Sequence, residues 1–135
     1  FYNPNHNIPK EDRQALYDKL YEEFETVIKK FPDDRIYIMG DWNAHTGLIV
    51  DEFGIGEVTA QGREMLQFTK KCGLHVHVSK NRESAATRKG NKVLNQKDSM
   101  IDYICSINAE EMKRSTLYVE EFDLLSDHQM ITMET

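Results

Sequence analysis

A run of apolar residues at three- and four-residue spacing constrains the fold of this chain more than any other feature. Within Glu11–Phe31 the spaces between the apolar residues are filled mainly by glutamate and lysine. This spacing predicts an amphipathic helix. An apolar stripe of that length has to be covered, and we expect a sheet to cover it. The apolar positions are Leu16, Leu20, Phe24, Val27, Ile28 and Phe31.

Short β-forming segments follow this helix. Arg35–Met39 is rich in β-formers and is bounded by Gly40, so it is predicted to be a strand. A second helix is predicted over Thr59–Cys72, with Gly73 as its C-terminal stop. The order of elements predicts an α+β fold class, with helices packed on a sheet in one domain over residues 1–135. The further predicted strands are Leu74–Val78, Ser84–Thr87, Ile101–Ile107, Ser115–Val119 and Met130–Met133.

The composition argues against a chain that spans a membrane. The 135 residues are 39% apolar and 30% charged. No apolar run approaches the roughly 20 residues that a transmembrane helix requires. The sequence starts at Phe1 and shows no recognisable secretory leader. Cys72 and Cys105 have neither a zinc-knuckle nor a disulfide-framework spacing, so we expect reduced thiols and an intracellular location.

Positive charge is concentrated in one segment of an acidic chain. The net charge of −6 argues against nonspecific nucleic-acid binding by the chain as a whole. Residues 80–97, however, hold six basic side chains and a single acidic one, Glu83, a local balance of +5 that leaves −11 for the remainder. This basic segment is either a solvated loop or a surface that contacts phosphates.

Three polar clusters beside apolar strands are the candidates for chemistry. Together they bring carboxylates, a carboxamide and an imidazole to strand ends, as metal-assisted attack of water on a phosphoryl or acyl centre requires. Oxygen ligands of this kind favour Mg²⁺ or Mn²⁺ over zinc. The clusters are Asp41-Trp42-Asn43, Asp102 within Ile101–Ile104, and Ser126-Asp127-His128.

Residue alternation suggests how these side chains would be used. Asp41 and Asn43 point the same way in an extended segment, so the carboxylate could take a proton from a water that the amide orients. Asp and Asn beside glycine also form turns, which is the alternative. Asp102 could orient His128, whose second ring nitrogen would then face a reacting phosphate as a charged donor. Otherwise His128 is simply a residue at the entry of a strand.

The other aromatic and histidine residues near these motifs are assigned structural positions. Trp42 is expected to pack in the core, and His45 to be an ordinary loop residue. His75 and His77 alternate with valines and could share a metal-binding face of a strand. Exposed strand positions are the preferred interpretation for these two histidines.

Four short motifs follow one another in a distinctive order: Tyr2 with Pro4, Gly40-Asp41-Trp42-Asn43-Ala44-His45-Thr46-Gly47, Ile101-Asp102-Tyr103-Ile104, and Ser126-Asp127-His128. In this order they resemble the C-terminal half of the endonuclease/exonuclease/phosphatase superfamily. The most similar branch comprises the apurinic-type endonuclease domains of non-LTR (LINE-type) retrotransposons and the craniofacial development protein 2-like proteins.

The resemblance implies a Mg²⁺-dependent phosphodiesterase that nicks DNA, with Mn²⁺ as the alternative metal. The implied fold is a four-layer sandwich of two sheets covered by helices. By the same resemblance Tyr2 would contact the phosphate, Asp41 would activate the attacking water, and Asn43 would help to position that water.

The resemblance assigns further roles in the second half of the chain. Asp102 would orient His128, and His128 would stabilise the phosphorane. Asp127, together with Asp41, would lie at the metal. A retrotransposon role also implies a downstream reverse transcriptase in full-length relatives and action in the nucleus. Relatives carry DNA-contacting loops where this chain has Arg88, Lys89 and Lys92.

The chain departs from the family pattern in two respects. Family members have an N-terminal half before the tyrosine motif, with an asparagine and a glutamate that bind metal, and neither has a position here. We therefore expect a truncated domain that lacks the N-terminal sheet and binds Mg²⁺ weakly. Val78-Ser79 and Thr87-Arg88 also replace an Asn-Thr and a Thr-Trp pair. The alternative functions are a non-catalytic remnant that acts as a binding or structural module, and a phosphatase of the same superfamily.

Overall fold

The computed structural model describes residues 1–4, 8–50, 55–77, 86–120 and 126–134. These ranges contain both helices and strands, which confirms the predicted α+β class. No helix within them is long and apolar enough to cross a membrane. The helices are α1 (Lys10–Lys30), α2 (Ala60–Cys72) and α3 (Ala109–Arg114), and the strands are β1 (Tyr37–Asp41), β2 (His75–Val76), β3 (Asp102–Ser106), β4 (Thr116–Glu120) and β5 (Met130–Glu134).

The described strands form two antiparallel sheets. One has the order β1-β3-β2, and the other pairs β4 with β5. In the first sheet Asp41 lies directly opposite Asp102. Residues 1–3 run parallel to β1, because the Phe1 amino group donates to Met39 O and the Asn3 N–H donates to Asp41 O, both at 2.8 Å. This register brings the chain start to the strand end where both carboxylates lie.

Helices α1 and α2 cover one face of the three-stranded sheet. Tyr17 of α1 packs on Phe68 of α2 with 5.1 Å between ring centroids, and both rings lie beside Trp42. Trp42 and Cys105 are fully buried in this core, as predicted for Trp42. Burial raises the pKa of the Cys105 thiol to about 12, and both cysteines are free thiols.

The buried stripe of α1 is rotated from the predicted one. Arg13, Tyr17 and Phe24 are its buried residues, whereas Val27 is 39% exposed and Phe31 44% exposed. The apolar spacing could not reveal Arg13, whose guanidinium makes two hydrogen bonds to the Glu64 carboxylate of α2, at 2.8 and 2.9 Å. This bidentate ion pair fastens the two helices together.

Strand β1 is displaced by two residues from the predicted Arg35–Met39 and so includes Asp41. Gly40 therefore lies inside the strand and is not its boundary. A Cβ at Gly40 would stand 1.8 Å from the Phe1 carbonyl oxygen, because the chain start runs against this strand. The correction matters because it makes Asp41 a strand residue, held by sheet hydrogen bonds.

The predicted strand Leu74–Val78 is shortened to β2 among the described residues, and Val78 lies outside them. The expectation that His77 is exposed is wrong. Its side chain is 3% exposed, and its two ring nitrogens lie 2.9 Å from Ser115 Oγ and 2.7 Å from Ser106 Oγ. His77 is therefore a hydrogen-bonded core residue, and both of its ring nitrogens are engaged by serine hydroxyl groups.

The later strand predictions are close, with one exception. Strands β3, β4 and β5 each begin and end within one residue of the predicted strands Ile101–Ile107, Ser115–Val119 and Met130–Met133. The predicted strand Ser84–Thr87 lies partly outside the described residues, and its described part is not a strand. Instead, Arg88 forms single β-bridges to Ser99 and to His128. The residues 80–85 of the basic segment are also outside the described ranges.

The loop after β1 is docked on the first turn of α2. The Thr59 hydroxyl caps this helix by accepting from Gly62 N at 3.1 Å, and it also accepts from His45 N at 3.3 Å. Thr59 N in turn donates to His45 O at 3.0 Å. A Cβ at Gly62 would come within 2.0 Å of that same His45 oxygen. The absence of a side chain at Gly62 thus allows the loop to approach the helix.

Replacing Trp42 by alanine should lower the free energy of unfolding by about 3–5 kcal/mol, because a fully buried indole is lost from a packed core. Chemical denaturation followed by circular dichroism would measure the change. Val93→Ala is the control, since Val93 is 93% exposed and should change stability by less than about 0.5 kcal/mol. A similar small change for Trp42→Ala would contradict the placement of the indole.

Gly62→Ala should destabilise the chain, although alanine normally stabilises a helix by roughly 0.5–1 kcal/mol relative to glycine. The reversed sign is expected because the methyl group would collide with the His45 carbonyl. Denaturation midpoints would be compared with those of Gln67→Ala, an exposed position of the same helix. A rise in the midpoint of Gly62→Ala would show that the loop does not rest on this turn.

Candidate functional site

A cavity of about 530 Å³ lies where β1 and β3 meet the bridge residues 88 and 128. Most of the residues singled out in the sequence line it, although they come from four separate parts of the chain. A cavity of this volume is within the range that small-molecule and cofactor sites occupy. The predicted residues that line it are Tyr2, Asp41, Asn43, Arg88, Asp127 and His128.

His128 is held by Asp102 at the edge of this cavity. Its Nδ1 lies 3.0 Å from Asp102 Oδ2 and 3.2 Å from Oδ1. Asp102 begins β3 and projects from the face opposite the buried Tyr103, as the alternation of the strand predicts. His128 N donates to Ser126 Oγ at 3.1 Å, which tightens the turn that presents the imidazole. The predicted pairing of these two residues is therefore present.

The second ring nitrogen of His128 faces two further carboxylates. Its Nε2 lies 3.8 Å from Asp41 Oδ2 and 3.9 Å from Asp127 Oδ1. Asp41, Asp102 and His128 each offer an atom such that all three lie within 4.8 Å of one another. The His128 side chain remains 34% exposed, so a ligand in the cavity can reach it.

Asp41 and Asn43 both line the cavity, but not for the predicted reason. Asn43 has a left-handed backbone with φ 44°, so the segment is not extended there. Its N–H donates to Asp41 Oδ1 at 2.9 Å, the local turn that was the alternative interpretation. The Asn43 amide Nδ2 donates to Asn3 O at 2.6 Å, and its carbonyl oxygen makes no hydrogen bond with the described residues.

Burial and hydrogen bonding act in opposite directions on Asp102. Desolvation raises the pKa of its carboxyl group, and a hydrogen bond from the Thr87 side chain and the neighbouring His128 partly offset that rise. The Thr87 hydroxyl also accepts from Ile101 N and Asp102 N at 3.0 and 3.1 Å. Thr87 is 2% exposed, and these two hydrogen bonds fix the start of β3.

Asp127 is paired with Arg88. Arg88 Nε donates to Asp127 Oδ2 at 2.8 Å, and this hydrogen bond is the main cause of a lowered pKa of the Asp127 carboxyl group. The Asp127 side chain is 51% exposed. Sequence reasoning assigned Asp127 to metal and Arg88 to DNA, but it did not foresee that the two side chains bind each other.

Of the other predicted phosphate-binding residues, Tyr2 lines the cavity, and Lys89 and Lys92 do not. Tyr2 is 61% exposed at its rim. The Lys89 ammonium lies 3.7 Å from Asp98 Oδ2. Lys92 is exposed in a short 3-10 turn, Lys92–Leu94, and is not among the residues that line the cavity. Among the basic side chains, Arg88 therefore lines the cavity and binds one of its carboxylates, whereas Lys89 and Lys92 do not line it.

The donor set at this site fits a hard divalent cation. Asp41 Oδ2 and Asp127 Oδ1 both face His128 Nε2 and make no closer hydrogen bond among the described residues. One or two carboxylates completed by water are the usual protein contribution to a Mg²⁺ site. Asp102 is less suited to bind metal, because its carboxylate is already engaged by His128 and Thr87.

Two residues that support the site were not identified from the sequence. Asn3 is fully buried, and its amide donates to Trp42 O at 2.9 Å while its backbone oxygen receives the Asn43 amide. No role was assigned to Asn3 from the sequence. Thr87 was noted only as part of a departure from the family pair. The motif spacing carries no signal for such contacts, because they depend on how distant segments pack.

Comparisons with known proteins agree with this geometry. No curated protein shows significant similarity to the sequence. Among solved structures, the chain is similar to the endonuclease domain of TRAS1, a telomere-specific non-LTR retrotransposon, with 20% identity and a TM-score of 0.62. The match covers 86% of this chain and 49% of that one, so the chain spans about half of the TRAS1 domain.

The similarity to TRAS1 shows the fold, whereas the family is shown by a family model that matches nearly the whole sequence. The match to the family model extends over residues 1–132 and so includes all four motifs. It also includes Asp41, Asp102 and His128, which the fold brings together. The chain therefore belongs to the endonuclease-reverse transcriptase family, whose members fall within the endonuclease/exonuclease/phosphatase superfamily.

Proposed function

We propose that this chain is a DNA-nicking endonuclease module of retrotransposon descent that hydrolyses phosphodiester bonds with a divalent metal. The observation that carries this proposal is the meeting of Asp41, Asp102 and His128 within 4.8 Å, with Asp41 and His128 lining the cavity. Three separate motifs supply these side chains, and a purely structural role for each would not require them to converge.

In the proposed mechanism His128 stabilises charge on the reacting phosphate. Asp102 accepts from Nδ1, which fixes the ring orientation and directs Nε2 into the cavity; the proposed role requires a proton on both ring nitrogens. Nε2 faces the cavity, where negative charge builds up on the phosphoryl oxygens during attack. The burial of Asp102 strengthens this pairing, since two groups interact more strongly where water is partly excluded.

Asp41 and Asn43 prepare the attacking water. Asn43 N–H occupies Asp41 Oδ1, which leaves Oδ2 to accept the proton of a water molecule. The Asn43 carbonyl oxygen can accept the other hydrogen of that water, because its amide nitrogen is already used by Asn3. Attack of this water on phosphorus breaks one phosphodiester bond and leaves one phosphate end and one hydroxyl end.

Mg²⁺ is the proposed cofactor, and Mn²⁺ would suit the same oxygen donors. Asp41 and Asp127 are the residues that would hold it. Such an ion supplies positive charge to the phosphoryl oxygens when bound. Because Arg88 already binds Asp127, we expect weak binding in which the cation and the guanidinium compete for one carboxylate.

DNA is the proposed substrate, and Tyr2 and the basic side chains of residues 88–92 are its proposed contacts. Tyr2 and Arg88 line the cavity itself, which supports a role for them at the scissile phosphate. Lys89 and Lys92 would meet flanking phosphates. Such contacts position a duplex without reading its sequence. In full-length relatives the module would act with a reverse transcriptase and, on chromosomal DNA, in the nucleus.

A DNA-binding module without cleavage is the second candidate. The specific observation in its favour is the Arg88–Asp127 ion pair, which occupies a carboxylate that the metal would need. In that case the cavity would still attract phosphates through Arg88 and His128. The two candidates differ in whether a bound phosphodiester is broken.

Relaxation of supercoiled plasmid in Mg²⁺ tests the proposed activity. Asp41→Asn and His128→Ala should each reduce nicking by about a hundredfold or more, because proton transfer and charge stabilisation are lost. EDTA should abolish nicking by the unaltered chain. Asp18→Asn on the exposed side of α1 is the matched control and should nick at the normal rate.

Equal nicking by the chain and both site variants would assign the activity to something other than this cavity. No nicking by any variant, with tight duplex binding retained, would support the binding module.

The salt dependence of DNA binding tests the basic contacts. Each phosphate contact removed should reduce the slope of log affinity against log salt by about 0.9. A variant with Arg88, Lys89 and Lys92 changed to alanine should therefore bind more weakly and with a flatter slope, as measured by fluorescence anisotropy. The charge-matched control changes Lys19, Lys29 and Lys70, which are exposed on α1 and α2. Identical slopes for the two triple variants would exclude the proposed surface.

A further inference from the structure

His45 lies at the same cavity as the carboxylate cluster, although no role in the chemistry has been given to it. It follows β1 by four residues and is half-buried, and its side chain lines the cavity together with Asp41 and His128. Desolvation lowers the pKa of its imidazole, which favours the neutral ring. A neutral imidazole offers one N–H donor and one acceptor nitrogen.

The backbone of His45 is held by Thr59, the N-cap residue of α2. Its N–H donates to Thr59 Oγ1 and its carbonyl accepts from Thr59 N at 3.0 Å, while Gly62 leaves the space for this approach. These two hydrogen bonds to Thr59 fix the His45 backbone beside the helix. The position of the ring therefore does not depend on side-chain contacts of its own. Such positioning suits a group that has to meet a ligand in a defined place.

Within the described ranges, neither the His45 ring nor the neighbouring Gln61 amide makes a side-chain hydrogen bond. Gln61 lies in the first turn of α2 and lines the same wall of the cavity. By contrast, Asp41, Asn43, Asp127 and His128 all have partners there. Polar groups that wall a cavity without internal partners are satisfied by water or by a ligand.

The cavity is larger than one scissile phosphate requires. Its volume of about 530 Å³ is in the range of sites that take nucleotide-sized ligands. The carboxylate cluster and Arg88 account for the reacting phosphate, so the wall formed by His45 and Gln61 remains for the adjoining part of the substrate. An amide and an imidazole are suited to hydrogen-bond a sugar or a base edge.

We propose that His45 and Gln61 form a subsite that hydrogen-bonds the nucleotide adjoining the scissile phosphate. This inference rests on the proposed nuclease function. Within it, the subsite contributes to substrate binding and orientation, whereas the carboxylate cluster performs the proton transfer.

The test compares a nucleic acid with a small diester that has no adjoining nucleotide. For a fluorescein-labelled duplex, His45→Ala should raise KM and the dissociation constant about tenfold, and it should change kcat less. On bis(4-nitrophenyl) phosphate the loss should be several-fold smaller than on the duplex. His45→Gln keeps a donor and an acceptor and should recover most of the duplex affinity.

Two further variants serve as controls. Gln61→Ala should also impair the duplex reaction more than the reaction of bis(4-nitrophenyl) phosphate. Because the Gln61 side chain is only partly buried, this variant keeps the test valid if His45→Ala unfolds. His75→Ala removes an imidazole of similar burial in β2, outside the cavity, and should behave like the unaltered chain. Thermal melts would verify folding.

Two results would overturn the inference, and they are distinguishable. If the chain binds and nicks the duplex while His45→Ala and Gln61→Ala match it, the subsite is wrong and the nuclease proposal stands. If the unaltered chain neither binds the duplex nor cleaves either substrate, the nuclease proposal itself fails and the subsite fails with it.

Discussion

The register between β1 and β3 is the constraint on which the rest of the site depends. It sets Asp41 opposite Asp102 on the face that the helices do not cover. A slip of one residue would turn one of these carboxylates toward Trp42 and the aromatic core. Trp42 resists such a slip, because its ring is fully buried beside α1 and α2 and its backbone N–H donates to Ile101 O at 2.9 Å. Core packing and site geometry are thus fixed by the same pairing.

Three carboxylates lie close to one another, and the fold places two nitrogen-bearing side chains among them. His128 lies between Asp102 and Asp41, and Arg88 binds Asp127. The lowered pKa of Asp127 and the raised pKa of Asp102 follow from this arrangement, since one carboxylate is exposed beside a guanidinium and the other is mostly buried.

Support for the site comes from elements that carry no chemistry themselves. Thr59 caps α2 and holds the loop that contains Asn43 and His45. Asn3 connects the chain start to the same loop through the Asn43 amide. Because the hydrogen bonds of Thr59 to His45 and of Asn43 to Asn3 join residues 14 and 40 positions apart, the positions of the site residues depend on the helix and the sheet being docked together. Catalytic groups on loops commonly rely on a rigid scaffold in this way.

The sequence by itself determined helices α1 and α2, most of the strands, the burial of Trp42 and most of the charged residues that meet at the cavity. It did so because apolar periodicity and short motifs are local properties of the chain. Only the tertiary structure decided the two-residue shift of β1, the burial of His77 between two serines, the Arg88–Asp127 pair and the hydrogen bonds of His45 to Thr59. Three of these features are contacts between residues that are far apart in sequence. All four depend on packing geometry, which the spacing of residues along the chain does not encode.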